Sequence, residues 1–315
     1  MSFSLNELYR TVGVSKQAVK QAKQRQDRFD RELSELVVLA DQLKEEHPGC
    51  GVEKMYYTLK PEWMGRDQFC EIFLGLGYGV NRIRNYHRTT YSGRHFYPNL
   101  IEGMAVTRPF QVIQSDITYF HLNGQHYYLV FIIDVYTRLV VGYAVNDHMR
   151  TEGNLEAMNM ALKWLNFLPW GLIHHSDRGS QYSSRDYTLL LKNNCIHISM
   201  GTVAWENAYG ERINGIIKNE YLKRWTIKDF KDLKKKLEKA VNNYNTKRMH
   251  RAFSMKYAPM GFYQKLIDLP AQERPTVNVY TEGRKNFLGA SSPFEVCPRE
   301  EPLAHDCPME FVNEC

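Results

Sequence analysis

Three carboxylates stand where chemistry is expected. Asp116 lies inside QVIQSDITYF (111–120), an otherwise apolar, strand-like run. A carboxylate there is costly to bury unless it meets a metal or a cation. Asp177 closes GLIHHSD (171–177), just ahead of Arg178-Gly179-Ser180, and ligands collect at strand ends in open α/β sheets. Glu211 sits on the helix expected over 208–222. Carboxylates from two strands and a helix can hold Mg²⁺, which takes oxygen ligands and keeps waters for substrate phosphates. Two such ions about 3.5–4 Å apart activate an attacking oxygen and stabilise a leaving one in phosphodiester chemistry. Each residue also has a plainer reading. Asp116 could cap a turn, Asp177 could make an Asx turn, and Glu211 could be a solvated helix residue. Taken singly, the plainer reading is the better one for each.

Helix geometry bears on which glutamate belongs to the set. Asn207, Glu211, Asn214 and Lys218 fall at i, i+4, i+7 and i+11, on one face. Lys218 would then lie beside the carboxylates, placed to hold a phosphate as a point charge. Glu206 is a rival, about 140° around the helix from Glu211, so the two cannot face one site equally. Asp134 in IIDVY reads as a structural acid. His174 and His175 are adjacent on a strand and point to opposite faces, and no Cys or His partner has zinc-ligand spacing. His47, His87, Cys50 and Cys70 likewise lack the order of a zinc-binding domain. Ser176 has no G-x-S-x-G elbow for a hydrolase triad.

The elements that must position these residues begin after Pro109. Strands are expected over 111–120, 127–136 and 138–147, with Asn123-Gly124 as a hairpin signal, giving an antiparallel meander. A helix over 151–168, a strand over 171–177, a helix over 184–192, a strand over 197–200 and helices over 208–222 and 228–246 follow. This order predicts an α/β fold with a mixed sheet. Upstream, LNELYRTVGVSKQAVKQAKQR (5–25) reads as two short helices around Gly13, with Leu5, Leu8 and Tyr9 on one face of the first. Ser15 is the N-cap of the second, and Ala18 and Val19 face inward. Basic residues but no acidic one occupy 10–25, and this helix-turn-helix pattern makes Lys16, Gln17, Lys20 and Lys23 candidates for DNA contact. Further helices are expected over 29–46 and 66–77. The basic, aromatic NRIRNYHRTTYSGRHF (81–96) reads as a linker able to track a phosphate backbone.

Composition narrows the classes. The 315 residues suffice for a real core, and 43% hydrophobic with 24% charged residues excludes wholesale disorder. No apolar run is long enough for a membrane span, and the first residues lack an apolar signal core, which implies a cytoplasmic protein. The six cysteines are scattered without a C-x-x-C pair and read as reduced thiols. Net charge is +3 over residues 1–100, −2 over 101–210, +10 over 211–265 and −5 over 266–315. An acidic middle between basic segments suits a metal site flanked by polyanion-binding surfaces. Lys234, Lys235, Lys236, Arg248 and Arg251 are the candidates in the basic stretch. For KDFKDLKKKLEK alone, a solvated helix face is as good a reading.

The wording around the carboxylates is more specific. QSDITYF, IIDVYTRLVVGYAV, LIHHSDRGSQYSS, SMGTVAWENAYGERINGIIKNEY and YNTKRMHRAF (244–253) together closely resemble the catalytic, OrfB-type transposases of the IS-three insertion-sequence family. The likeness runs from about Leu5 to about Gln264. It implies a ribonuclease H-like, retroviral-integrase-like core with an Asp-Asp-Glu triad. Asp116 and Asp177 take the aspartate positions, and Glu211 the glutamate, seven residues before Lys218 and nine before Glu220. The 33 residues between Asp177 and Glu211 are slightly fewer than the family's usual interval, and Glu206-Asn207-Ala208 replaces Asp-Asn-Ala. The resemblance implies Mg²⁺, with Mn²⁺ as substitute and two ions in the site. It also implies element ends and target DNA as substrates, a homo-oligomer on DNA, and a product of an upstream reading frame as a partner. Strand cleavage by water would leave a 3′-hydroxyl that attacks a second phosphodiester. A non-catalytic helix-turn-helix regulator and a ribonuclease H-type nuclease that cuts without joining are the rivals. The expected organisation is a helix-turn-helix region (1–28), a second helical DNA-binding region (29–90) and a basic linker (91–108). A catalytic core (109–225), a basic helical segment (226–265) and an acidic, poorly ordered tail (266–315) complete it.

Overall fold

Helix α1 (Leu5–Val12) turns through Gly13 into α2 (Lys16–Glu46), 31 residues long. The structure, a computed structural model, describes residues 5–81, 96–165 and 171–279. Ser15 caps α2 as expected, its Oγ accepting the Ala18 N–H at 3.1 Å. The helices expected across 15–25 and over 29–46 are one, so the 28/29 boundary falls inside it. No Gly or Pro interrupts 16–46. Gln26 donates to Asp30 at 2.7 Å and Arg28 to Glu32 at 2.9 Å, bridging the expected break one turn apart. Ala18 and Val19 do not face inward: residues 10–28 are exposed throughout.

Farther along α2, Leu36, Ala40 and Leu43 pack on α3 (Val52–Leu59) and α4 (Arg66–Gly75), meeting Val52, Met55, Phe69 and Phe73 in a separate core. Helix α3 was not expected, because its eight residues bury only Val52 and Met55, too little apolar periodicity to read.

Strand β1 (Ala105–Val106) precedes β2 (Val112–Leu122), β3 (Gln125–Asp134) and β4 (Val140–Asn146), the expected meander. Asn123 and Gly124 turn β2 into β3 with φ of 50° and 81°, the geometry an Asn-Gly hairpin turn requires. Then come α5 (Thr151–Leu165), β5 (Ile173–Ser176), α6 (Arg185–Asn193), β6 (His197–Met200), a 3₁₀ turn (Ala204–Asn207), α7 (Ala208–Ile216) and α8 (Phe230–Thr246). The sheet order is β4-β3-β2-β5-β6, with β5 parallel to both β2 and β6. It is a ribonuclease H-like mixed sheet. Strand β3 is apolar from Tyr127 to Ile133, where both faces are covered. Val130 and Ile132 join the core with Ala157, Met158 and Ala161 of α5; Leu129, Phe131 and Ile133 join that of α7 and α8.

The helix expected over 208–222 is α-helical only to Ile216 and continues as a π-helical turn, Ile217–Leu222. The wider turn lets Lys218 stay on β2, at Thr118, while Glu220 and Tyr221 reach the N-terminal helices. The tail expected from 266 begins too early. Helix α9 (Pro259–Ile267) buries Leu266, and β7 (Val277–Asn278) pairs with β1, burying Val277 beside Ile101, Val106 and Phe262. Most of the acidic residues that coloured the whole segment lie beyond 280. Likewise, residues 96–108 of the expected linker carry the buried Ile101 and Val106. The remainder of both expectations, 82–95 and 280–315, lies outside the described residues.

The α2–α4 unit is tied to the sheet-bearing core by hydrogen bonds. Gly49 N–H donates to the Glu220 carbonyl at 2.8 Å, Asn243 Nδ2 to the Glu46 carbonyl at 2.8 Å, and Trp225 Nε1 to the Glu45 carbonyl at 3.2 Å. Among the described residues no helix is long and apolar enough to cross a membrane. Cys50, Cys70 and Cys195 are unbridged.

Candidate active site

Asp116 sits on the face of β2 that α7 covers. Gly210 makes the contact possible, since a Cβ there would stand 2.9 Å from the Asp116 Cβ. Asn214, one turn farther along, donates from Nδ2 to Asp116 Oδ2 at 2.7 Å. Burial first, then the charges of Asp177 and Glu211, push the Asp116 carboxyl well above the usual range; the Ile117 backbone and Lys218 pull the other way. Asp177 follows the last residue of β5, and its Oδ1 accepts the Gly179 N–H at 3.0 Å. The Asx turn and the candidate ligand are thus one residue. Glu211 opens to solvent on its outer side. Crowding of its inner side, and then Asp177, push its carboxyl up. The three expected carboxylates therefore act on one another electrostatically.

Three of the four residues predicted to share a face meet β2, Lys218 from the π-helical turn beyond α7, while Glu211 is exposed. Asn207 Nδ2 donates to the Ser115 carbonyl at 2.9 Å, Asn214 to Asp116, and Lys218 Nζ to Thr118 Oγ1 at 2.5 Å. Burial, and then Lys223, lower the Lys218 ammonium to about 8 against the pull of Asp116. Glu206 has another task. Its Oε2 accepts the Thr202 N–H, the Thr202 hydroxyl at 2.9 Å and the Val203 N–H at 3.2 Å. Burial pushes its carboxyl up, but those hydrogen bonds and His175 outweigh it and hold it low.

Sequence reasoning missed Gln114. Its side chain is fully buried, and its Oε1 accepts the N–H groups of Tyr209 at 3.0 Å and Gly210 at 3.3 Å. Its Nε2 donates to the Glu206 carbonyl at 3.3 Å. The available signal was a polar amide two positions from Asp116 and so on the same face of the strand.

The remaining candidates separate clearly. Asp134 is structural, accepting the N–H groups of Phe110 and Thr137, both at 2.9 Å. His174 bonds Tyr187 at 2.9 Å and His175 bonds Ser199 at 2.8 Å. Burial first holds both neutral, at about 3 and about 4. Lys16, Gln17, Lys20 and Lys23 are exposed on α2, and Lys234 and Lys235 on α8, with Lys236 partly covered. Arg251 pairs with Glu53 at 2.5 Å but stays exposed. Arg248 is not on a phosphate-tracking surface: it is 7% exposed and bound to Glu220. A basic stretch in sequence does not reveal which of its cations finds a buried partner.

Among the described residues, no three acidic, histidine or cysteine side chains already close on a single ion. The donor set still fits a hard divalent cation. It offers carboxylate oxygens, and burial first, then mutual repulsion, disfavours the charged forms of Asp116 and Glu211, a cost a cation would relieve.

The integrase core domain family matches residues 106–204, and a second family of the same description matches 194–257. The insertion element IS600 31 kDa protein of Shigella sonnei is 32% identical over 66% of this chain and 78% of its own length. The chain belongs to the IS-three family of insertion-sequence transposases. A transposase for insertion sequence element IS629, also from Shigella sonnei, is 36% identical over 45% of this chain and 48% of its own length. Among solved structures, the HTLV-2 integrase catalytic core domain in complex with magnesium covers 52% of this chain and 99% of its own, at 20% identity and TM-score 0.39.

Proposed function

We propose that the chain is a DDE transposase that cleaves one DNA strand at an insertion-sequence end and joins the released 3′-hydroxyl to a second phosphodiester. What carries the reading is Asp116: a carboxylate held against Gly210 and Asn214 of α7, disfavoured as an anion by burial first and then by Asp177 and Glu211. Such a cluster is expensive for a fold to keep unless the charge is used. Asp116, Asp177 and Glu211 would hold Mg²⁺, or Mn²⁺ in its place, in a two-ion site. When bound, the ions would lower the pKa of the attacking hydroxyl and offset charge on the leaving oxygen. Asn214 orients Asp116 by donating to one of its oxygens. Lys218, beside Asp116, is set to hold a phosphate oxygen.

In cleavage, water attacks the scissile phosphorus and the 3′-oxygen leaves with a proton. In joining, that hydroxyl attacks a second phosphorus and displaces another 3′-oxygen. No covalent enzyme intermediate is required. The nearby Tyr182 is a poor nucleophile, because its hydroxyl is bonded to Ser115 at 2.9 Å and burial first pushes it well up. DNA would be held by the exposed basic faces of α2 and α8, in a homo-oligomer that brings two ends together. A strand-transfer assay on oligonucleotides carrying element ends tests the proposal. A transposase joins them, a nuclease only cuts, and a regulator only binds.

A further inference from the structure

We propose that Gln114 is a positioning residue: by capping α7 from β2, it sets the register of Glu211 against Asp116 and Asp177. The inference rests on the triad reading above. A helix normally has its first N–H groups satisfied by the side chain of its own N-cap. Here the N-cap Asn207 makes no such bond: its Nδ2 donates to the Ser115 carbonyl at 2.9 Å, and its buried Oδ1 accepts none of the N–H groups of α7. The task passes to another element. Gln114 Oε1 takes the N–H groups of Tyr209 and Gly210, and Nε2 holds the Glu206 carbonyl. A local cap would stabilise α7 wherever it lay, whereas a cap from β2 also fixes where it lies.

Register matters because a slip of one residue moves a helix by about 1.5 Å and turns it by about 100°. Glu211 directly follows Gly210, the last of the capped residues, and would be carried away from the aspartates. Asn214 also links the two elements, but through the Asp116 carboxylate itself. That bond must share its acceptor with any ligand in the site. Gln114 holds only backbone groups, so its grip is independent of what occupies the carboxylates.

The test compares Gln114→Met with wild type and with Ile198→Val, a core variant away from the site. Three properties are read: amide hydrogen exchange at Tyr209 and Gly210, Mn²⁺ binding to the DNA-free protein by calorimetry, and end cleavage. Loss of the cap should speed exchange of both amides at least tenfold and weaken Mn²⁺ binding by about tenfold, the lower range for a supporting partner. Cleavage should fall and partly recover at high Mn²⁺, with DNA binding unchanged. If Gln114→Met does not fold, Gln114→Asn serves, its carbonyl falling short by about one bond, or 1.5 Å. Wild-type exchange at the two amides, or Mn²⁺ affinity equal to that of Ile198→Val, would overturn the positioning role. Wild-type cleavage by Glu211→Gln would instead remove the triad reading, and this inference with it.

Discussion

Arg248 and Glu220 form a two-point ion pair, Nε to Oε2 at 2.7 Å and Nη2 to Oε1 at 2.8 Å. Lys54 of α3 adds a third contact, at 3.2 Å to Oε1. Burial opposes charge on both partners, yet their mutual hydrogen bonds and attraction hold the Glu220 carboxyl low and the Arg248 guanidinium high. The pair lies where the π-helical turn beyond α7 meets the N-terminal helical unit. It ties that turn to the end of α8, and Lys54, through the same carboxylate, carries the N-terminal unit onto it.

Removing one partner of such a pair strands the other. Arg248→Ala should cost about 3–5 kcal/mol in urea unfolding. Arg251→Ala removes an exposed pair and should cost less than about 1 kcal/mol. Arg248→Lys should not restore the loss, because an ammonium cannot reproduce the two-point fork. Equal, small effects of the two alanine variants would show that the buried pair holds nothing together.

The triad makes a prediction about both activity and stability. Asp116→Asn, Asp177→Asn and Glu211→Gln should each abolish cleavage and joining while leaving DNA binding intact. Asp116→Asn should also stabilise the metal-free protein, by on the order of 1–2 kcal/mol, since it removes the most crowded charge. Glu206→Gln should weaken the turn before α7 but keep activity. A dead Glu206→Gln beside an active Glu211→Gln would reverse the assignment of the glutamate.

Metal should act on the same cluster. Activity should require Mg²⁺ or Mn²⁺ and stop in chelator. The apo protein should gain about 2.7 kcal/mol at a hundredfold excess over Kd. Thermal unfolding of wild type and Asp116→Asn across a Mn²⁺ series checks this. An equal gain in both would place the ion elsewhere.

The acid limb of stability should report on His47. Its Nδ1 meets the Tyr221 hydroxyl at 2.8 Å in the same junction. Burial first, with Lys247 and Arg248, lowers it to about 4, against Glu46 and Glu220. The folded value lies below the unfolded one, near 6.5. Stability from a neutral His47 is thus fully present above about 6.5 and is lost as pH falls toward 4. The full effect is on the order of 3 kcal/mol. His47→Gln, which can still bond Tyr221, should flatten unfolding free energy between those limits. Parallel wild-type and variant curves would assign the acid loss to other groups.

Much of this architecture was legible because its signals are local. Apolar, strand-length runs and Asn123-Gly124 pointed to the meander, and the spacing of Asn207, Asn214 and Lys218 pointed to the side chains that meet β2. Asp116 was visible as a charge in an apolar run. Pairings across long separations were not legible. Arg248 reads as one more cation until Glu220, 28 residues away, is found against it. Gln114 reads as a strand residue until Tyr209 and Gly210, 95 and 96 residues away, turn their N–H groups onto it. The continuity of α2 was hidden for another reason. Its first half is polar and exposed, so no apolar period carries the helix through 26–28.

The final prediction separates affinity from sequence reading. Lys234 and Lys235 are exposed on α8, which buries Leu233, Leu237 and Val241, and Lys234 stands 4.6 Å from the centre of the Phe230 ring. Lys236 lies 5.7 Å from the centre of the Trp225 ring, still on the surface. Cations so placed meet phosphates, which every DNA offers alike. Residues 10–28 instead form an exposed helical arm, with Gln17 and Lys20 on it. An exposed helix of this kind can enter a major groove, where an amide and an ammonium read base edges. The triple change Lys234/Lys235/Lys236→Ala should weaken binding to end and random DNA equally. It should also flatten the dependence of log affinity on log salt, by up to about 0.9 for each phosphate no longer neutralised. Gln17→Ala with Lys20→Ala should mainly erode the preference for ends. Binding of both DNAs at several salt concentrations decides the matter. Loss of end preference alone in the lysine variant, or equal loss on both DNAs in the α2 variant, would refute this division of labour.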